Sequence, residues 1–413
     1  MRVLAGRAAE KRVHELAARA SRLEAVEPQV RRIVADVHRN RDRALVKYAR
    51  KWDGLNAGQP LRVAPSEIRA AWKAASPELR SALERAAANI RRFCEWQKPA
   101  EWTRKNYGML LGQLVRPLDS VGCYVPGGRY PLPSTLLMTV IPAQVAGVYE
   151  IRVVSPKPRP ETLAAAALLG VTEFYRIGGA HAIAALAYGT ESIPRVDKIV
   201  GPGNLYVTAA KKLVAFDCSI DFLAGPTEVV IVAEDGEAPF IAADLVAQAE
   251  HDPETLSVFI TSSRSLAEEV AACADEMAKN NAIARQSLAT NGAALVAASH
   301  AQALGWANLV APEHITVARG DVAAVRSAGS VFVGDYSPQA VGDYASGPNH
   351  VLPTAGAARY RGGLSVLDFL KLITVQELSP AALRRIAPVV TSLAEAEGLQ
   401  AHAESVRVRC AHA

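Results

Sequence analysis

The fold class this sequence predicts is α/β, with doubly wound parallel sheet lying between a helical N-terminal region and a helical C-terminal tail. Two observations carry the expectation. From about Leu118, short apolar runs alternate with alanine-rich segments, as buried parallel strands alternate with their crossover helices. On either side of that region the apolar residues recur at intervals of three and four, the spacing of a helix face.

Taken in order, residues up to about Lys98 read as helices. Val30, Ile33, Val34 and Val37 form one stripe, continued by Leu45 and Tyr48 and closed before Gly54. The run SPELRSALERAAANIRRFCEW opens with Ser76 as N-cap and Pro77 at the first helical position, where a missing N–H costs little. The strands follow as SVGCYVP, EIRVVSP, EFYRIGG, KIVGPG, EVVIVAE, LSVFITS, AALVAA and SVFVGD. Glycine clusters stand after the first, third and fourth, at Gly127-Gly128, Gly178-Gly179 and Gly201-Pro202-Gly203-Asn204. Ligands on such sheets bind beyond the carboxyl ends of the strands. Glycine lets backbone amides approach a phosphate, but none of the clusters completes G-x-G-x-x-G, and each also reads as an ordinary strand-to-helix turn. Ser379-Pro380 starts the tail, whose stripe of Leu383, Ile386, Val390 and Leu393 stops near Gly398. So narrow a tail has no core of its own and must lie on its own body or on a second subunit.

Composition bounds the function. Hydrophobic residues make up 50% of the 413 positions and charged ones 21%, a soluble globular balance with a real core. The net charge of +5 is small for this length and no block of basic residues occurs, so no nucleic-acid groove is expected. The N-terminal stretch mixes charge with alanine rather than forming a signal peptide, and no apolar run reaches the roughly 18 residues of a membrane span. A cytoplasmic protein is expected. The five cysteines are scattered without a CxxC, so any metal must be held by nitrogen and oxygen.

Four of the nine histidines sit in compact polar islands, while His14, His38, His300 and His412 look incidental. The islands are QAEHD with Gln248 and His251, APEHIT with Glu313 and His314, GDYASGPNH with Asp343 and His350, and EGLQAH with Glu397 and His402. On a helix, Gln248 and His251 share a face; they read either as two neutral metal ligands or as a helix C-terminus closed by a histidine. Gln248, His251, Asp343 and His402 together offer two imidazoles, a carboxylate and an amide oxygen, a set without thiolate that leaves room for substrate. Glu313 and His314 read either as two proton acceptors for successive steps or as a proline-led turn with solvated side chains.

The runs GCYVPGGRYPLPSTLLMTVIPAQVAG, GGAHAIAALAYGTESIPRVDKIVGPGNLYVT, AGPTEVVIVAE, QAEHD, PEH, GDYASGPNHVLPT and GLSVLDFLK resemble histidinol dehydrogenase, in order and through nearly the whole chain. The N-terminal NRDRALVKYARKWDGL resembles the family more loosely. The resemblance implies two Rossmann-like doubly wound domains and a C-terminal helical dimerisation tail. Its expected divisions are 1-117 as a helical region packed on the first α/β domain, 118-225 as an NAD-binding-type domain, 226-365 as a metal and substrate domain, and 366-413 as a helical tail crossing to the partner subunit. It also implies a homodimeric, zinc- and NAD-dependent enzyme that oxidises L-histidinol through L-histidinal to L-histidine in histidine biosynthesis. Gln248, His251, Asp343 and His402 match the family's metal ligands, the last supplied across the dimer; both zinc and manganese accept such donors. Glu313 and His314 match its catalytic pair. Thr227, His350 and Glu397 match substrate contacts, and Tyr124, His181 and Asn204 match NAD contacts. Three departures stand out. His181 replaces a common glutamine, Thr227 a serine, and Phe222-Leu223 a Met-Pro that would stiffen the turn. Competing readings are a paralogue that oxidises another primary alcohol, such as a sulfonated diol, a zinc hydrolase using Glu313, and a catalytically silent metal binder.

Overall fold

The computed structural model describes residues 1–19, 23–127 and 130–412. It is a mixed α/β structure with two all-parallel sheets. The five-stranded sheet runs Glu173–Tyr175, Glu150–Val154, Ser120–Tyr124, Lys198–Val200, Ser219–Ile220 from edge to edge. The six-stranded sheet runs Arg2–Ala5, Ala293–Val296, Leu256–Thr261, Glu228–Val232, His314–Val317, Ser330–Val333. A three-stranded antiparallel sheet, Leu370–Leu378, Met109–Pro117, Trp102–Asn106, stands apart from both.

Each parallel sheet is covered on both faces, which is why its central strands are largely apolar. Helices Pro133–Ala146 and Pro160–Leu168 bury Leu136, Leu137, Ile141 and Leu163 on one face of the five-stranded sheet. Helices Glu27–Tyr48, Gly179–Tyr188 and Leu205–Val214 cover the other with Val30, Ile33, Ile183 and Val207. The six-stranded sheet is closed by Gly6–Ala17 and His300–Val310 on one side and Ala238–Ala249 and Arg264–Met277 on the other. No helix among the described residues is long and apolar enough to cross a membrane.

Several expectations are corrected. The first 117 residues are not purely helical: Arg2–Ala5 is the outer strand of the six-stranded sheet, and residues 102–106 and 109–117 are strands. The helix Gly6–Ala17 therefore belongs with the six-stranded sheet rather than the five-stranded one. The C-terminal segment from 366 opens with a nine-residue strand before its helices Pro380–Ala396 and Gln400–Ala411. His38 is not simply solvated, since its ring stacks on Tyr188 at 4.0 Å. His300 is not incidental either, bridging Glu234 at 3.1 Å and Asp321 at 2.8 Å.

Candidate active site

The candidate site residues fall into two regions, one on each parallel sheet. The first is a cavity of about 550 Å³ beyond the carboxyl ends of the five-stranded sheet, lined by Trp52, Asp53, Tyr124, Gly179, His181 and Asn204. All three residues expected at NAD thus face one cavity. The strand Ser120–Tyr124 ends at Tyr124, whose buried hydroxyl accepts the Gly179 N–H at 3.1 Å; burial holds its proton on firmly. Asn204 is the N-cap of Leu205–Val214, accepting the N–H groups of Tyr206 and Val207 at 3.1 Å. His181 is 1% exposed, with Nε2 at 2.7 Å from Asp53, which also accepts the Gly178 N–H at 3.0 Å. Asp53 arrives on a single π-type turn, Ala49–Asp53, of the kind that often marks a functional site.

Backbone approach in this region depends on glycine. A Cβ on Gly201, whose φ is +112°, would stand 2.2 Å from the Tyr124 carbonyl oxygen. Behind it the buried Lys211–Asp221 ion pair grips the loop: Asp221 accepts the Gly201 N–H at 2.8 Å and Lys211 donates to the Gly201 carbonyl at 3.0 Å. Phe222 is also pinned, lying under the Arg361 guanidinium at 4.3 Å. The turn is thus held by a buried ion pair and an aromatic contact where a proline was expected to stiffen it. Gly128 of the first glycine pair lies outside the described residues.

In the second region the candidate residues do not follow strand ends. Glu313 and His314 stand at the amino end of His314–Val317, and Thr227 immediately precedes Glu228–Val232. These strands are neighbours, with His314 opposite Val229 in the register, so their starts lie side by side. Glu313 is buried and its carboxylate accepts from the Thr227 hydroxyl and, at 2.9 Å, from the Glu228 N–H. Burial pushes its pKa up, His314 and these donors pull part of the way back, and it settles at about 7. The Thr227 hydroxyl in turn accepts from the Gln248 amide nitrogen.

The His314 ring is aligned for base chemistry. Its Nδ1 lies 3.0 Å from the Glu228 carbonyl oxygen, which can only accept, so Nδ1 carries a proton in either charge state and Nε2 is the nitrogen that gains or loses one. That Nε2 is buried without a hydrogen-bond partner, 3.6 Å from Asp343, a separation beyond hydrogen-bond reach. Burial pushes the imidazole's pKa down, but the carboxylates of Glu313 and Asp343 outweigh it and lift the group. His350, beside them, donates from Nδ1 to the Asp343 carbonyl oxygen at 2.7 Å and is kept neutral by burial.

Three of the four expected metal ligands gather here. Gln248 lies in the last turn of Ala238–Ala249, and His251 lies just past its end, three residues on. The helix Gln339–Tyr344, which carries Asp343, packs on that helix, and the His251 charge is felt at Asp343 and His350. His402 and Glu397 do not join them within one chain. Both are exposed, Glu397 just past the end of Pro380–Ala396 and His402 on Gln400–Ala411, two helices that pack chiefly on each other. Among the described residues of this single chain, no group of three or more His, Cys, Asp or Glu converges tightly enough to hold a metal. The donor set nevertheless fits a borderline cation: the Gln248 nitrogen is engaged by Thr227, which leaves its carbonyl oxygen as the group's remaining donor atom, and no side-chain hydrogen bond engages His251 among the described residues.

Sequence reasoning missed Asp53, Glu228 and Arg19. A glutamate opening the apolar run EVVIVA was a usable signal, because a buried carboxylate needs a partner. Nothing in the sequence pointed to Arg19, more than two hundred positions away, as that partner.

Comparisons with known proteins agree in one direction. A family model described as histidinol dehydrogenase matches residues 16–410. Histidinol dehydrogenase of Methanosarcina barkeri is 45% identical over 97% of this chain and 95% of its own length. That of Methanothermobacter thermautotrophicus is 47% identical over 91% and 92%. The crystal structure of histidinol dehydrogenase from Elizabethkingia anophelis superposes with a TM-score of 0.94 at 35% identity, covering 99% of this chain and 98% of that one.

Proposed function

Because the chain belongs to the histidinol dehydrogenase family of enzymes, we propose that it oxidises L-histidinol through L-histidinal to L-histidine, using zinc and two NAD per turnover. The observation that carries this reading is the buried, unpartnered Nε2 of His314, its tautomer fixed by the Glu228 carbonyl, beside a second buried acceptor on Glu313.

Gln248, His251 and Asp343 of one subunit and His402 of the other would hold the metal. Zinc would supply a fixed charge for the substrate's imidazole and amine, and NAD the hydride acceptor for both oxidations. In the first oxidation, the His314 Nε2 takes the hydroxyl proton as the carbinol carbon gives up a hydride, leaving the aldehyde. In the second, Glu313 takes a proton from water as its oxygen adds to the aldehyde carbon, and the resulting hydrate loses the second hydride to give the acid. Thr227 steadies the ionised Glu313, while His350 and the partner-derived Glu397 contact the substrate, a carboxylate suiting an ammonium group. Tyr124, His181 and Asn204 hold the dinucleotide in the cavity on the five-stranded sheet.

The same reading makes the protein a cytoplasmic homodimer built from two Rossmann-like units, with the C-terminal helices as the exchanged element. Val389, Leu393, Leu399 and Val408 on those helices are exposed, as are Leu372 and Ile373 on the adjoining strand, so the tail offers apolar surface to a second copy. The division at 117, 225 and 365 belongs to this proposal.

The test is to add L-histidinol and NAD to zinc-loaded protein and follow NADH absorbance. Two NADH formed per histidinol consumed supports the proposal. Turnover confined to another primary alcohol, such as a sulfonated diol, would assign the chain to a different substrate.

A further inference from the structure

Glu228 touches every part of the Glu313–His314 unit. It opens a central strand of the six-stranded sheet and is 3% exposed. Through its backbone, the N–H donates to the Glu313 carboxylate at 2.9 Å and the carbonyl accepts from His314 Nδ1 at 3.0 Å. Through its side chain, Oε2 accepts the Glu313 N–H at 3.3 Å and Oε1 accepts the Ala355 N–H at 2.9 Å. Ala355 belongs to the segment that follows His350, so one carboxylate joins two of the polar islands.

That carboxylate is held by Arg19. The guanidinium forks onto it, with Nε at 2.6 Å from Oε1 and Nη2 on Oε2. Its Nη1 donates to the carbonyls of Leu16 at 2.6 Å and Val310 at 2.7 Å, which ties the end of the Gly6–Ala17 helix to the loop leading into Glu313.

We propose that Arg19 and Glu228 are a positioning pair for proton transfer, and that the N-terminal strand and helix belong to the active site because they deliver Arg19. Neither residue touches the reacting atoms. Glu228 sets the His314 tautomer and the Glu313 orientation, and Arg19 sets Glu228. A buried ion pair kept only for stability is replaceable by well-packed apolar groups. This pair instead directs Oε2 and both backbone groups of Glu228 at the dipeptide, where displacement of about 1 Å is enough to cost roughly a hundredfold in rate.

The inference rests on Glu313 and His314 being the proton-transferring pair, so the experiment includes Glu313→Gln and His314→Asn beside Glu228→Gln, Arg19→Met and Arg19→Lys. Steady-state rates with histidinol and with histidinal are measured on zinc-loaded protein and normalised to folded protein and bound zinc. Glu228→Gln and Arg19→Met are expected to lower kcat for both oxidations by about ten- to a hundredfold with KM for histidinol unchanged, and Arg19→Lys to restore part of the loss. A lowered melting temperature with kcat per folded, zinc-bearing site unchanged would reduce the pair to a structural bridge and overturn the inference. If Glu228→Gln does not fold, the two Arg19 variants decide the matter by the same criterion. Full turnover in both Glu313→Gln and His314→Asn would overturn the underlying assignment; loss there with none in the Arg19 and Glu228 variants would overturn the positioning pair alone.

Discussion

The candidate residues of the two parallel sheets stand at opposite strand ends. On the five-stranded sheet Tyr124, His181 and Asn204 stand at or beyond strand ends, and glycine-containing turns lead into helices whose first residues line the cavity. On the six-stranded sheet Thr227, Glu313 and His314 stand where strands begin. A strand-to-helix turn suits an elongated anionic ligand, which asks for many weak donors. Proton transfer asks for a few groups at fixed separation, and neighbouring strand starts, locked by ladder hydrogen bonds, supply that. At the other end of the six-stranded sheet, Glu234, Ser262, His300 and Asp321 bond one another.

If the two ends divide the work, their variants should separate cleanly. The largest effects belong to the strand starts. Glu313→Gln should cut histidinal oxidation by about 10²- to 10⁴-fold while sparing the first oxidation, and His314→Asn should cut the first oxidation by a similar factor, measured as single-turnover NADH formation from each substrate. Asp343→Asn should next lower zinc affinity by about 10- to 100-fold, read by equilibrium dialysis, with NAD binding unchanged. At the opposite end Asp53→Asn should weaken NAD by roughly tenfold, since His181 and the Gly178 N–H lose a charged acceptor, with zinc content unchanged. Quenching of tryptophan fluorescence would report it. The smallest effect is on pH. Glu313 acts as a base only when ionised, so histidinal oxidation should rise with pH through about 7 and level off above it. Thr227→Ala removes a hydrogen bond that favours the carboxylate and should move that limb to higher pH.

Legibility in the sequence followed the same division. Eight strands announced themselves as apolar runs, most of them buried on both faces, and each is found in place. Of the missed strands, Met109–Pro117 carried an apolar run and could have been found, while three others lack that signal. Trp102–Asn106 is exposed along its length, Ser219–Ile220 is two residues long, and Arg2–Ala5 begins on a charge. Leu370–Leu378 could have been found, because its first residues alternate apolar with polar. The strand His314–Val317 was hidden because its first residue belongs to a polar island and only three residues extend it. That is also why the site's placement at strand starts was not foreseen. The polar islands marked Glu313, His314, Gln248, His251 and Asp343, but residues that act by holding others, Asp53, Arg19 and Glu228, carry no spacing pattern of their own.

Under the proposed function each site is completed by two chains, with His251 from one and His402 from the other. Complementation tests it most directly: His251→Ala and His402→Ala proteins, each inactive alone, are co-refolded in equal amounts and assayed for histidinol oxidation. Random pairing gives half heterodimers, each with one intact site, so activity should return to about a quarter of the unmodified enzyme's. No activity above that of the separate variants, with heterodimers demonstrably formed, would contradict the shared site.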